Sequence, residues 1–253
     1  MALIDIESAD GIRTVTLNRP EKRNALNPAM LGELHDAFRQ APTTDERVVV
    51  VRAEGPVFCA GLDLRERAWT LSEPGDSPIE AVLHSVELYP LPTVAVVQGD
   101  AIAGGNELAL HCDFVVASTA ARFGMSLAQI GLAPTWFLAK KLLEVAGPVA
   151  SREILLLGDP LPAERMQAMG IISRVAPPAE LQAAADLIIQ RLAANAPLSL
   201  KAMKALLVRE MAFRDGIAHE DVDRLVEEAR GSGDAQEGIA ARLDRRNPDF
   251  RGN

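Results

Sequence analysis

Two uninterrupted apolar runs constrain this chain most: Val48 to Val51 and Thr93 to Val97 carry no polar alternation. A strand with one wet face alternates apolar and polar residues, so a continuous β-branched run reads as a central strand covered on both faces. Each run leads into a glycine-bearing loop, Phe58-Cys-Ala-Gly-Leu-Asp-Leu64 after the first and Gly99-Asp-Ala-Ile-Ala-Gly-Gly-Asn-Glu107 after the second. Ligands of α/β sheets bind beyond the carboxyl ends of strands, and glycine lets backbone N–H groups approach them closely. The two loops together read as a candidate oxyanion hole, although the glycines of either loop alone are compatible with a tight turn. Neither has the spacing of a dinucleotide fingerprint or the Lys-Ser/Thr ending of a P-loop.

Around these runs the pattern is that of an α/β core. Ile4 and Ile6, then Val15 and Leu17, alternate with polar residues as half-buried strands, with a turn at Ser8 to Gly11. Asn27-Pro28 is a helix start, followed by the helical stripe Met30, Leu31, Leu34, Ala37 and Phe38. Residues 65 to 80, with Trp69, Pro74, Gly75 and Pro78, read as a mobile loop able to close over a ligand or to serve as a connector. Short strand-like pieces follow Asp113, and from about Pro134 the composition turns helical. Ala218, Val222, Leu225, Val226 and Ala229 recur at helical spacing. The expected division is a core over residues 1–195 and a helical region over 196–253.

Composition narrows the function classes. With 253 residues and 48% hydrophobic content the chain can bury a large core. Its net charge of -9 and 4% aromatic content argue against a nucleic-acid surface. Cys59 and Cys112 lack any paired spacing, and the amino terminus shows no basic region followed by an apolar stretch. A protein of a reducing compartment, the cytoplasm, is the expectation. No apolar run is long enough for a membrane span.

Three ordered motifs, LNRPEKRNAL at 17–26, FCAGLDL at 58–64 and GDAIAGGNELALHCD at 99–113, resemble successive signatures of the crotonase superfamily, the enoyl-CoA hydratase/isomerase family. The similarity continues through 155–175 and 195–204 into the last helix. The resemblance implies an α/β fold of the ClpP/crotonase-like kind, a spiral of repeated ββα units with a helical C-terminal trimerisation region, assembled as a homotrimer or dimer of trimers. It implies an acyl-CoA thioester substrate, with coenzyme A as part of the substrate and no separate cofactor. It places the hole donors at the amides of Leu62 and Gly104, where charge developing on the thioester oxygen is met by fixed N–H groups. Lys22, Arg23, Ala60 and Leu64 become candidates for coenzyme A contacts, and Arg245 with Arg246 for its phosphates.

By the same resemblance Glu107 matches the first catalytic glutamate of enoyl-CoA hydratases, the base that deprotonates the attacking water. Its position is also one that a helix dipole favours. The second glutamate, the proton donor to the α-carbon, aligns with Leu127, which cannot exchange a proton. Thr135 stands where dienoyl isomerases carry an aspartate. Hydration of a 2-enoyl-CoA is the favoured reaction; an isomerase, a decarboxylase or lyase, and a non-catalytic acyl-CoA binder remain open, with Asp63, Asn106 and Gln129 as candidate substitute proton sources. Trp136 and Phe137 read either as acyl-pocket lining or as core.

Other constellations are weak. Gly124-Met-Ser126-Leu-Ala128 lacks the final glycine of a hydrolase elbow. His111-Cys112-Asp113 are consecutive and cannot all face one metal, while His35, His84 and His219 are scattered; no metal site is expected.

Overall fold

The computed structural model describes residues 2–66 and 77–253. The chain opens with β1 (Ile4–Ala9) and β2 (Ile12–Leu17), joined by the two-residue turn Asp10-Gly11, so the turn is tighter than the Ser8–Gly11 expected. β2 alternates in burial as anticipated. β1 does not: only Ile4 is buried, at the end that α1 reaches, and Ile6 is 45% exposed on this antiparallel edge strand. Next comes α1 (Pro28–Arg39). Its Asn27 cap accepts from the Met30 amide, and all five residues of the expected stripe are buried.

β3 (Val48–Ala53) leads to the first glycine loop, and α2 (Pro78–Glu87) precedes β4 (Thr93–Val97). The last three residues of the loop expected at 65–80 are therefore helix, and residues 67–76 lie outside those described. After β4 come β5 (Ala101–Ile102), α3 (Gly104–Leu110), β6 (Phe114–Ser118) and β7 (Arg122–Gly124). Then follow α4 (Trp136–Arg152), β8 (Leu161–Pro162), α5 (Ala163–Ala168), β9 (Arg174–Ala176) and α6 (Leu181–Ala194). The carboxy-terminal part is α7 (Pro197–Met211), α8 (Glu220–Gly231) and α9 (Gly233–Asp244).

Six strands form one sheet in the order β1-β2-β3-β4-β6-β9, parallel from β2 onward, and β5-β7-β8 form a second, smaller one. The valine runs are continuous because alternate residues serve different layers. Val48, Val50, Val94, Val96 and Val116 pack under α6, while Val49, Val51, Ala95, Val97 and Val115 face the main core. The spiral leaves the ends of β3 and β4 side by side, which brings their glycine loops together.

The carboxy-terminal helices attach unevenly. α9 packs closely on residues 130–131: a Cβ at Gly238 would lie 2.5 Å from the Ile130 carbonyl carbon. α7 is tied to the sheet by Lys204, which donates to the Leu91 carbonyl and to Asp113. Yet α7 and α8 bury no residue within one chain, and Leu198, Leu206, Leu207 and Leu225 are each more than 60% exposed. The helical stripe expected at 218–229 forms from Val222 onward, with Ala218 outside the helix; Val226 and Ala229 are half-buried, while Val222 and Leu225 are exposed in a single copy.

Candidate active site

The first glycine loop is pinned by the segment before α1. Asn24, buried with φ 52, donates its side-chain amide to the carbonyls of Glu54 and Val57 and accepts from the Arg19 amide. The Ala60 amide donates to Arg23, Leu26 to Gly61 and Asp63 to Leu26. Lys22 and Arg23 are exposed, the Arg23 carbonyl meeting the amide of half-buried Ala60, and Leu64 is half-buried further along the same loop.

Gly61 then brings the two loops into contact. Its φ is 84, and a Cβ there would lie 2.8 Å from the Ile102 carbonyl oxygen and 3.1 Å from the Gly104 amide nitrogen. On the other side, Ala103 has φ 47 and ψ -116, a conformation that L residues adopt at a cost of roughly 1–3 kcal/mol. That kink turns β5 into α3 and presents the Gly104 amide at the helix start. Among the described residues neither the Leu62 amide nor the Gly104 amide donates a hydrogen bond within the protein. Cys59 fills the space beneath: a Cβ at Gly105 would meet its carbonyl oxygen at 2.2 Å, and burial pushes its thiol up to about 12, so it stays neutral.

Glu107 sits one turn into α3 and is 1% exposed. Among the described residues neither carboxyl oxygen has a hydrogen-bond partner, and both polar atoms of neighbouring Asn106 are likewise unpaired. Burial pushes the Glu107 carboxyl up to about 8, opposed by the charge of Lys141 and reinforced by that of Glu80. His111, one turn on, approaches the carboxyl at 3.8 Å, beyond hydrogen-bond range. Its Nδ1 lies 2.8 Å from the Glu107 carbonyl, which can only accept, so Nδ1 carries the proton. Burial and then Lys141 push His111 down to about 4, so the ring is neutral.

The aromatic pair at the start of α4 divides its tasks. Phe137 stacks on His111 with centroids 5.3 Å apart and meets His84 edge-on at 6.1 Å. Trp136, the candidate substrate contact of the pair, instead stacks on His219 from the carboxy-terminal region at 4.5 Å. Phe137 is therefore the member nearer Glu107. One turn further along α4, Lys141 forms an ion pair of 2.7 Å with Glu87 of α2. Sequence reasoning considered His111 only as a metal ligand and missed Lys141 and Glu87 altogether. The i, i+4 spacing of Glu107 with His111, and of Phe137 with Lys141, was the available signal.

Leu127 is half-buried against the main core and brings no titratable group. Two of the candidate substitutes are engaged elsewhere: Asp63 binds Arg19 at 2.9 Å, and Gln129 donates to Leu157 and Asp159. Arg246 is paired with Glu237, whereas Arg245 caps α9 in a left-handed conformation with its side chain exposed. No group of three or more potential metal ligands occurs among the described residues, and none of their helices is long and apolar enough to cross a membrane.

The family model for enoyl-CoA hydratase/isomerase matches residues 7–253. The chain belongs to the enoyl-CoA hydratase/isomerase family. A Thermus thermophilus protein that carries the name of an enoyl-CoA hydratase is 36% identical over 250 residues, covering 94% of this chain and 97% of the relative. Among solved structures, an enoyl-CoA hydratase from Mycobacterium avium subsp. paratuberculosis superposes with TM-score 0.85 at 28% identity, covering 99% of both chains. Methylmalonyl-CoA decarboxylase superposes with TM-score 0.92 over 99% of both chains; at 23% identity it speaks for the shared fold alone. The expected crotonase α/β spiral with a helical carboxy-terminal region is thus the fold of this family member.

Proposed function

We propose that this enzyme adds water to a 2-enoyl-CoA thioester, using the Leu62 and Gly104 amides as the oxyanion hole and Glu107 as its proton-transfer group. The observation that carries the reading is the juxtaposition, among the described residues, of two amides without internal acceptors and a buried, unpaired carboxyl three residues after Gly104 in its helix. Fixed N–H donors stabilise the enolate oxygen at no reorganisation cost, in a site where low polarity strengthens them.

With leucine at position 127, one carboxyl serves both proton transfers. Ionised Glu107 takes a proton from water as the hydroxyl bonds to the β-carbon and electrons move onto the thioester oxygen. The enolate then collapses, taking that proton from Glu107 at the α-carbon and leaving the carboxylate as it began. Lys22 and Arg23 hold coenzyme A beside Ala60 and Leu64, and Arg245, with its exposed side chain, is the better phosphate contact of the carboxy-terminal pair.

A second reading is decarboxylation of a malonyl-type thioester. It is favoured by the same Leu127 and by a carboxyl that burial keeps protonated at pH 7, since loss of carbon dioxide makes the enolate without a base and needs only a donor. The test is mass-spectrometric product identification with purified protein and a panel of 2-enoyl-, 3-enoyl- and malonyl-type CoA esters. Formation of 3-hydroxyacyl-CoA is expected. Carbon dioxide release without hydration would replace the first reading with the second, and tight binding without turnover would replace both with an acyl-CoA binder.

The bare apolar faces of α7 and α8 support assembly through the carboxy-terminal helices into a trimer or a dimer of trimers. Analytical ultracentrifugation should give three or six times the 27.1 kDa chain mass; a monomer at micromolar concentration would contradict this.

A further inference from the structure

Three helical stripes converge behind Glu107. On α2, Glu80, His84 and Glu87 follow one another at i, i+4 and i+7; on α3, Glu107 and His111 are one turn apart; on α4, Phe137 and Lys141 are one turn apart. Their order in space follows from the contacts. Phe137 lies between His111 and His84, and Lys141 reaches Glu87 one turn further on. At the other end, Ile79 presses on Gly104: a Cβ there would meet the Ile79 Cδ1 at 2.7 Å. The starts of α2 and α3 are therefore level, and the Lys141–Glu87 pair closes the layer behind the carboxyl.

The carboxyls of this layer are pushed in opposite directions by their neighbours. Burial alone would raise the Glu87 carboxyl, but the charge and hydrogen bond of Lys141 hold it below its ordinary value. Glu144, 3.9 Å from Lys141 on the same helix, is raised by burial. His111 is neutral, so on α3 itself no cation faces Glu107. From α4 it is faced by Lys141, and from α2 by Glu80. Among the described residues, the cation acting on it is thus one that another carboxylate clamps.

We propose that Lys141, clamped by Glu87, is a positioning residue that sets how readily the Glu107 carboxyl gives up its proton. The inference rests on the reading of Glu107 as the proton-transfer group. Lys141 touches no reacting atom; its fixed charge favours the ionised form of Glu107 against the burial that opposes it, and Glu87 both fixes the ammonium and blunts its field.

The test measures the midpoint of Glu107 ionisation in wild type, Lys141→Met, Lys141→Arg and Glu87→Gln. One readout is the pH dependence of kcat/KM for 2-enoyl-CoA hydration. The other needs no turnover: the difference in unfolding free energy between each protein and its Glu107→Gln counterpart, followed from pH 5 to 9. Lys141→Met should move the midpoint up by about one unit, lowering kcat/KM at pH 7 roughly tenfold. Glu87→Gln should move it down, and Lys141→Arg should restore the wild-type value. A merely structural pair would not shift the midpoint in opposite directions for opposite charges. Unchanged midpoints, or shifts of one sign in both variants, would overturn the proposal. If Lys141→Met fails to fold, the downward shift in Glu87→Gln decides alone. If no thioester is hydrated, the hydratase reading fails while the stability readout still tests this one.

Discussion

Glu107→Gln is expected to lower kcat/KM for hydration by about 10²–10⁴-fold, the usual contribution of a positioned acid or base, and at the same time to stabilise the fold at alkaline pH. The second effect follows from the carboxyl's environment. Between its ordinary value of 4.5 and its folded value of about 8, the native chain holds a proton that the unfolded chain has released. Wild-type stability therefore falls as pH rises through that window. At ~1.4 kcal/mol per unit the full shift converts to roughly 5 kcal/mol. Glutamine does not titrate but leaves its own amide unpaired, so a net gain of about 2–4 kcal/mol at pH 8 is expected, shrinking as pH falls and gone before pH 4.5 is reached. Urea denaturation at both pH values measures this. Equal stability of the two proteins at pH 8 would mean that the carboxyl is not held neutral by burial.

Gly61→Ala should be nearly as damaging to turnover, without touching any titrating group. At φ 84 an alanine is strained, and its methyl would stand 2.8 Å from the Ile102 carbonyl oxygen and 3.1 Å from the Gly104 nitrogen. The loops must part to admit it, which withdraws one amide from the thioester oxygen. Loss of one such donor costs roughly 2.7–4 kcal/mol, or about 10²–10³ in kcat. The pH midpoint of the remaining activity should stay at the wild-type value, because the surroundings of Glu107 on α2 and α4 are unchanged. Steady-state kinetics across pH separates this outcome from one in which the substitution merely unfolds the chain.

Much of this fold was legible because its strongest signals are local. The Asn27-Pro28 start, the stripe from Met30 to Phe38 and the two valine runs each depend on residues within one element, and all behave as expected. Ile6 misled because alternation along a strand does not reveal whether a second layer covers it, and β1 lies at the sheet edge. The two glycine loops and Glu107 could be singled out from glycine chemistry and motif resemblance. What surrounds the carboxyl could not. Lys141 meets Glu87 across 54 residues, and Phe137 reaches His111 only because α4 folds back over α3. Such pairings depend on the crossing of helices, which no single stretch of sequence encodes. Trp136 and Phe137 are adjacent in sequence yet face His219 and His111, on opposite sides of the helix start.

The measurement that bears most directly on the central claim is kcat/KM for hydration of a 2-enoyl-CoA by the wild-type enzyme from pH 5.5 to 9.5. With ionised Glu107 as the base, the rate rises with pH and levels off above a midpoint of about 8. A rate that is flat across this range, or that falls through pH 8, would contradict the account, the latter showing that the protonated carboxyl is the working form.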